Sequence, residues 1–428
     1  ESNNSHVGQM VTKLQPVRGT RDLLGAELLR HRKIQRIANE TTALYGYAPI
    51  ETPIFEYTSV FTKPLGETSD IVGKEMYTFE DRGGESITLR PEGTAPVVRA
   101  IMSEGLTQTL PQRRILQGPM FRYERPQKGR YRQLHQISIE CIGISTYHAD
   151  VEVIAMADHI LRDIGLKNVV LHLNTLGDLG SRLSYRNALV TYFEQHQDKL
   201  SEDSLARLQK NPLRILDSKD QHDKQVCANA PKLIDHLNAS SADFFNNVCK
   251  ALKELGIKYQ LDDTLVRGLD YYCHTVFEFK TADLGAQDTV LGGGRYDGLM
   301  EQMGGPAMPA VGWACGLDRL SLLSTHLDVA PPNPIACIMP FGEAEELPAI
   351  LLAQKLRAAE VYVELLLQGN FGKRLKAASK KDARYAIIIG ETEVKAGTYM
   401  VKDLRAEEGS LHKEQSLTLE GVVGLLGV

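Results

Sequence analysis

Between Ala26 and Tyr45 the apolar residues at 34, 37, 38, 44 and 45 repeat at the spacing of one helical face, and Gly46 marks the end of that helix. The chain then runs extended over 47–53, where Pro49 and Pro53 keep it out of a helix. Longer extended runs follow at 87–90, 114–122 and 134–143 with few helical stretches between them. Consecutive strands joined by short loops predict an antiparallel sheet, not a doubly wound parallel one. From Ser181 to Leu255 the pattern changes: apolar positions take helical spacing, Asn211-Pro212 punctuates the segment, and none of the chain's 36 glycines falls there. That stretch predicts a helical insertion into a glycine-rich α/β unit. Within it Ser201, followed by Glu202, Asp203, Leu205 and Leu208, predicts a helix start with acids where the helix dipole favours them. Pro331-Pro332-Asn333-Pro334 reads as a linker. Beyond it, apolar runs at 335–339, 361–367 and 385–389 alternate with helical segments and predict a small α/β domain with a mostly parallel sheet.

A chain of 428 residues is long enough for two or three units, each with its own core. It has no run of about 18 apolar residues and no leader pattern, so a cytoplasmic protein without a membrane span is expected. Residues 1–9 read as a polar tail or cloning remnant ahead of Met10. Six scattered cysteines, without a Cys-x-x-Cys pair, argue for reduced thiols and against zinc. The formal charge of −5 does not by itself suggest a nucleic-acid partner, yet two basic stripes do. Residues 113–132 carry seven basic side chains against Glu124, and residues 373–384 carry six against Asp382.

No phosphate-binding Gly-x-x-x-x-Gly-Lys loop occurs, and Gly292-Gly293-Gly294 misses the dinucleotide spacing. A bound nucleotide must therefore be held by side chains, for which arginine forks are the obvious means. Residues 120–140 predict an antiparallel hairpin with a basic tip at Pro126 to Gly129. On its return strand Gln136, Ser138 and Glu140 share one face, and Ile137, Ile139 and Cys141 share the other. Leu265 to Tyr272 places Arg267, Gly268, Asp270 and two tyrosines within eight positions. In an ideal strand Arg267 and Tyr272 would point to opposite faces, and Gly268 is the residue that could break that parity.

These segments resemble the histidyl-tRNA synthetases, class II aminoacyl-tRNA synthetases of the bacterial type, from about Met10 to the C-terminus. The helix and strand ending at Pro53 resemble the first class II motif, Phe121 to Arg125 with its hairpin the second, and Gly312 to Arg319 the third. Leu265 to Tyr272 and Gly292 to Gly298 resemble the two histidine-specific signatures. The fold so implied is an antiparallel class II catalytic sheet flanked by helices, an α/β (α+β) architecture with a helical insertion and a C-terminal α/β anticodon-binding domain. Its expected boundaries are 10–177 and 259–327 for the two catalytic parts, 178–258 for the insertion, 328–334 for the linker and 335–428 for the anticodon-binding domain.

The resemblance implies a histidine–tRNA ligase that uses ATP and Mg2+, takes L-histidine and tRNA(His), and forms a homodimer. It implies that Arg122, Arg267 and Arg319 act on the phosphates, that Arg122 and Arg267 also bind histidine, and that Glu124 meets adenine. Glu92 and Thr94 would hold the α-ammonium group with help from Gln136, while Glu140 and Tyr272 would hydrogen-bond the two imidazole nitrogens. Tyr271 and Tyr296 would form pocket walls, and Gln127 and Arg130 would meet the tRNA acceptor end. No protein metal ligand is assigned. His274, two residues beyond Tyr272, is expected to be a variable strand position. A histidine-binding regulator related to the synthetases is the alternative, and such paralogues typically lack the C-terminal unit and the intact arginine signature.

Overall fold

The computed structural model describes residues 12–65, 71–265, 271–283, 285 and 288–427. Arg267 and Gly268, and Met10 with the tail before it, lie outside the described residues. The chain divides into two compact units, one reaching Val329 and one beginning at Ala330.

The first helix, Gly25–Leu44, buries Ile34 and Ala38 together with His31, Thr41 and Thr42. Its end follows the glycine signal. Gly46 takes a φ of 80°, and the N–H groups of Gly46 and Tyr47 return to the carbonyls of Ala43 and Thr42. Leu44 does not join the inward stripe but stays exposed at the point where the chain leaves the helix.

Among the described residues of this unit, eleven strands occur in chain order. They are β1 (Ala48–Pro49), β2 (Phe55–Tyr57), β3 (Thr78–Glu80), β4 (Ser86–Leu89), β5 (Gln112–Phe121), β6 (Gln133–Ile142), β7 (Val169–Thr175), β8 (Gln260–Leu261), β9 (Cys273–Thr281), β10 (Asp288–Arg295) and β11 (Ala310–Gly316). Eight of them form one sheet in the order β1-β5-β6-β11-β10-β9-β7-β8, antiparallel except where β1 joins β5 and β8 joins β7 at the edges. β2, β4 and β3 make a small separate antiparallel sheet.

The two faces of the large sheet meet different partners. Ile137, Ile139 and Cys141 of β6 enter a core with the helices Gly25–Leu44, Tyr147–Ile164 and Ala239–Glu254, through Ile34, Val153, Ile154, Phe245 and Val248. Gln136, Ser138 and Glu140 face the other way, and all three are buried. A solvated sheet face is thus excluded for them. That second side is covered by the helix Thr94–Ser103 and by residues of 179–233, whose Tyr185, Leu189 and Phe193 continue one core with Tyr271, Tyr272 and Tyr296. Ser201 caps the helix Glu202–Lys210 by accepting from the Ser204 N–H at 3.2 Å, as its sequence predicts.

In the second unit β12 (Ala336–Pro340), β13 (Val363–Leu365), β14 (Tyr385–Ile389), β15 (Tyr399–Asp403) and β16 (Glu414–Leu417) order as β13-β12-β14-β15-β16. Only the pairs β12/β13 and β12/β14 are parallel. The pairs β14/β15 and β15/β16 are antiparallel, so the sheet is mixed and not mostly parallel. The reason lies in the connections: β15 follows β14 through only the short helix Glu391–Ala396 and β16 follows β15 with no helix, so neither link is long enough for a parallel crossover. No helix among the described residues is long and apolar enough to cross a membrane.

Candidate active site

A cavity of about 360 Å³ opens on the polar side of the large sheet. Its deep end is built on β6, β11 and the start of the helix Thr94–Ser103. The Glu92 carboxylate accepts from the backbone N–H of Thr94 at 2.6 Å and of Ala95 at 2.9 Å, so it caps that helix while it lines the cavity. The Thr94 hydroxyl donates onward to Glu140 Oε1 at 2.7 Å, and the Tyr296 hydroxyl donates to Glu140 Oε2. Burial pushes the Glu140 carboxyl up to about 8, against the two hydroxyl hydrogen bonds that lower it, and the nearby Glu92 charge adds to the rise. Burial also raises Glu92, although its two backbone donors and Arg122 pull it back.

Space at this end is made by missing side chains. The register sets Glu140 beside Gly312 and Gly312 beside Gly294 across three adjacent strands. A Cβ at Gly312 would lie 2.2 Å from Glu140 Oε2 and 2.3 Å from the Ile139 carbonyl. One at Gly294 would lie 2.5 Å from the Thr275 carbonyl and 2.8 Å from the Tyr272 ring. Three tyrosines wall the same end, with ring centroids 4.9 Å apart for Tyr271 and Tyr272 and 5.7 Å for Tyr271 and Tyr296. Tyr271 and Tyr272 precede β9 in non-strand backbone, which lets consecutive residues reach one side. His274 lies just inside β9, with a φ of 48° and its ring stacked on Phe244, where the β9/β10 register slips between Cys273 and Val276.

The outer end is cationic. Arg122 follows β5 and donates through Nε to the Pro91 carbonyl at 2.8 Å, and Arg319, in the helix Leu317–Leu323, donates to the Thr289 carbonyl at 2.8 Å. Glu124, Gly129, Arg130 and Tyr131 of the hairpin loop close this end. Of the basic stripe 113–132, only Arg125, Lys128 and Arg130 at the loop tip are exposed. Arg132 is instead held 3.9 Å over the Tyr123 ring, and Arg113 and Arg114 are engaged with Glu152 and Gln112. In the second unit Arg374 also turns inward, onto the Leu367 and Pro340 carbonyls, and the other five basic side chains of 373–384 remain exposed.

The structure therefore gathers Glu92, Thr94, Arg122, Glu124, Arg130, Gln136, Tyr271, Tyr272, Tyr296 and Arg319 around one cavity. Glu140 stands one layer behind the lining, covered by Thr94, Tyr296 and Gly312. Gln127 is exposed outside the lining, paired through its backbone with Arg130. Gln136 Oε1 is buried without a hydrogen-bond partner, a free acceptor at the cavity wall.

Sequence reasoning passed over two supports. Arg295, fully buried beside Tyr296, grips Asp150 through Nε and Nη2, Asp297 at 3.0 Å and the carbonyls of Ile144 and Thr146. Burial opposes its charge, yet the two aspartates outweigh it and hold the guanidinium pKa up. Asp318, next to Arg319, accepts from Arg21 at 2.8 Å and from the His135 N–H at 2.8 Å. His31, His135 and Asp318 bring three ligand-type atoms within 4.8 Å, but the Arg21 guanidinium already occupies the Asp318 oxygen that a metal would need. A charged residue inside the glycine run and an acid preceding an arginine were the only signals available.

An antiparallel sheet of this order, with a strand-hairpin arginine and a helix arginine facing one cavity, defines the catalytic domain of a class II aminoacyl-tRNA synthetase. Residues 19–320 match the family described as histidyl-tRNA synthetase, and residues 336–426 match the anticodon binding domain. The chain is 53% identical over 396 residues to the histidine–tRNA ligase of Rhodospirillum rubrum, covering 92% of this chain and 95% of that one. With the histidine–tRNA ligase of Gluconacetobacter diazotrophicus it shares 51% identity over 97% of this chain and 99% of that one. The crystal structure of apo S. aureus histidyl-tRNA synthetase superposes with a TM-score of 0.81 at 34% identity, covering 97% of this chain and all of the other. The chain belongs to the histidyl-tRNA synthetase family.

Proposed function

We propose that the cavity binds histidine with its ring toward Glu140 and ATP toward Arg319, and so carries out the activation step of a histidine–tRNA ligase. That ligase activity, ATP-dependent and directed to tRNA(His), follows from the family. The observation that supports this orientation is the gradient along one cavity, with Glu92 in its lining and Glu140 just behind it at one end and two arginines at the other. Neutral imidazole has one donor and one acceptor nitrogen. Glu140 can take the donor, and the Tyr272 hydroxyl can serve the acceptor. Glu92 and the Thr94 hydroxyl, with the free Gln136 oxygen, suit an α-ammonium group. The carboxylate is left facing Arg122, in reach of an α-phosphate.

In this reading Arg122 and Arg319 neutralise phosphate charge as histidine's carboxylate attacks phosphorus and pyrophosphate leaves, and Arg267 is assigned the same task from its signature. Glu124 meets the adenine amino group. Magnesium would accompany ATP and supply positive charge to its phosphates. Glu92 is engaged with backbone donors and Asp318 with Arg21, so no protein carboxylate is assigned to it. Histidine then passes to the 3′-hydroxyl of tRNA(His), whose acceptor end meets Gln127 and Arg130, and the protein works as a homodimer. The test is histidine-dependent exchange of pyrophosphate into ATP. We expect exchange in the intact chain and a loss of at least a hundredfold for Arg319→Ala, and undiminished exchange in that variant would overturn the phosphate assignment.

A further inference from the structure

The residues before the first helix were given no role by sequence, yet they touch both parts of the cavity's cationic end. Val17 to Thr20 form a tight turn, with the Thr20 N–H donating to the Val17 carbonyl at 2.9 Å and Gly19 at a φ of 85°. The Gly19 carbonyl accepts from the backbone N–H of Arg132 at 2.9 Å, where the hairpin loop rejoins β6, and the Arg132 carbonyl in turn accepts from the Arg122 N–H at 2.8 Å. The turn is thus one hydrogen-bonded residue away from the first phosphate arginine. A Cβ at Gly19 would sit 2.8 Å from Arg132 Cγ and Cδ, so this contact leaves no room for a side chain.

Two residues on, Arg21 reaches Asp318, the residue before the second phosphate arginine. Its guanidinium lies 4.0 Å from the centroid of the Tyr131 ring and donates to Asp318 Oδ1 at 2.8 Å, while Glu27 takes the other side of the fork. Tyr131 and Asp318 both line the cavity, one on the hairpin loop and one immediately before Arg319. The other oxygen of Asp318 holds the His135 N–H on β6 at 2.8 Å. Gly129 at the loop tip faces Leu322 and Arg319, where an added Cβ would meet Leu322 Cδ1 at 3.2 Å and Arg319 Cγ at 3.7 Å. A planar cation that can stack and donate at once is suited to tie this loop to the helix that carries Arg319.

We propose that the turn 17–21 is a strap and that Arg21 is a positioning residue for the ATP end of the pocket. It fixes Tyr131 of the hairpin loop and Asp318 of the Arg319 helix against each other. Arg21 itself touches no reacting atom. The inference rests on the reading above that this end binds ATP, and it makes a demand that general loss of stability would not meet: ATP saturation should suffer while histidine saturation does not.

The experiment is pyrophosphate exchange with ATP and histidine varied separately in Arg21→Ala, Arg21→Lys and Tyr131→Leu, with unfolding followed through Trp313. For Arg21→Ala the KM for ATP is expected to rise roughly tenfold or more, with the KM for histidine within about twofold and the unfolding midpoint close to that of the unchanged protein. Arg21→Lys keeps a charge for Asp318 but loses the planar stack, so it should recover part of the loss. Tyr131→Leu should raise the same KM, and combining it with Arg21→Ala should add little because both cut one link. Unchanged KM values in a folded Arg21→Ala protein, or equal rises for both substrates, would overturn the strap. Should Arg21→Ala fail to fold, an ordinary KM for ATP in folded Arg21→Lys and Tyr131→Leu would overturn it equally. Arg319→Ala separates the two ideas: if that variant saturates normally with ATP, the assignment of the ATP end fails, whereas impaired Arg319→Ala beside normal Arg21→Ala defeats the strap alone.

Discussion

Glu140→Gln should stabilise the empty protein while removing its ability to select histidine. The ordinary carboxyl value of 4.5 is raised to about 8 at this position, so between those two pH values the folded chain keeps a proton that the unfolded chain releases. Stability therefore falls as pH rises through that window and levels off above about 8. Each pH unit is worth about 1.4 kcal/mol, so an interval of about 3.5 units amounts to about 5 kcal/mol at the plateau and about 3 kcal/mol at pH 7, both upper values. Glutamine has nearly the same shape and can still accept from Thr94 while its amide faces Tyr296, but it cannot ionise. Urea unfolding followed through Trp313 measures the difference, because the chain's one tryptophan is buried in β11 beside Gly312 and donates to the Val153 carbonyl at 2.9 Å. We expect almost no difference between the variant and the unchanged protein near pH 4, a gain of up to about 3 kcal/mol at pH 7 and more at pH 8.5. A variant less stable at pH 7, or a difference that does not change with pH, would refute the reasoning.

Three further substitutions probe the same pocket from different sides. Tyr296→Phe removes the hydroxyl that Glu140 Oε2 accepts from and leaves that buried oxygen one donor short, which should raise the KM for histidine roughly tenfold while that for ATP stays within about twofold in pyrophosphate exchange. Gly312→Ala pushes a methyl against both the Glu140 carboxylate and the Ile139 carbonyl; one of these is backbone and cannot swing aside, so we expect loss of exchange activity and a destabilisation of about 1–3 kcal/mol by urea unfolding. Arg295→Met strands Asp150 in the core without its partner and should cost about 3–5 kcal/mol, whereas the pair Arg295→Met with Asp150→Leu should recover much of it. A double variant no more stable than the single one would show that the pair is not the source of the loss.

What could be read from the sequence were features set by local spacing. Strand alternation put Gln136, Ser138 and Glu140 on one face because β6 is regular over ten residues, and the apolar run 385–389 coincides with β14. Strand direction is not local, which is why the C-terminal sheet was expected to be more parallel than it is. Charge counting overstates how exposed the stripe 113–132 is, since Arg122 and Arg132 are half-buried and each gives Nε to a carbonyl, of Pro91 and of Glu124, which spacing cannot show. The support around Asp318 was beyond reach for the same reason: Arg21 lies 297 positions away. Glu140 was recognised by its face and family motif, but its cover by Thr94 and Tyr296 depends on two loops and the paired strands meeting in three dimensions.

That cover bears on how selection works. Burial holds the Glu92 and Glu140 carboxyls above their ordinary values, in Glu92 against the pull of Arg122, and Gly312 puts no side chain against Glu140. An amino acid bringing an ammonium group to one carboxylate and a ring N–H to the other meets needs that the empty site leaves open. A ring without that N–H would meet the same space and leave Glu140 buried with one donor fewer, a cost of about 1–3 kcal/mol for a neutral mismatch and more for a charged one. In the proposed pose the same charge gradient also sets direction, because histidine seated by its ammonium group and ring turns its carboxylate toward the end that Arg122 lines. In that proposed pose choice of substrate and orientation for attack come from one electrostatic arrangement, and a change that relaxes the first, such as Glu140→Gln, should loosen the second with it.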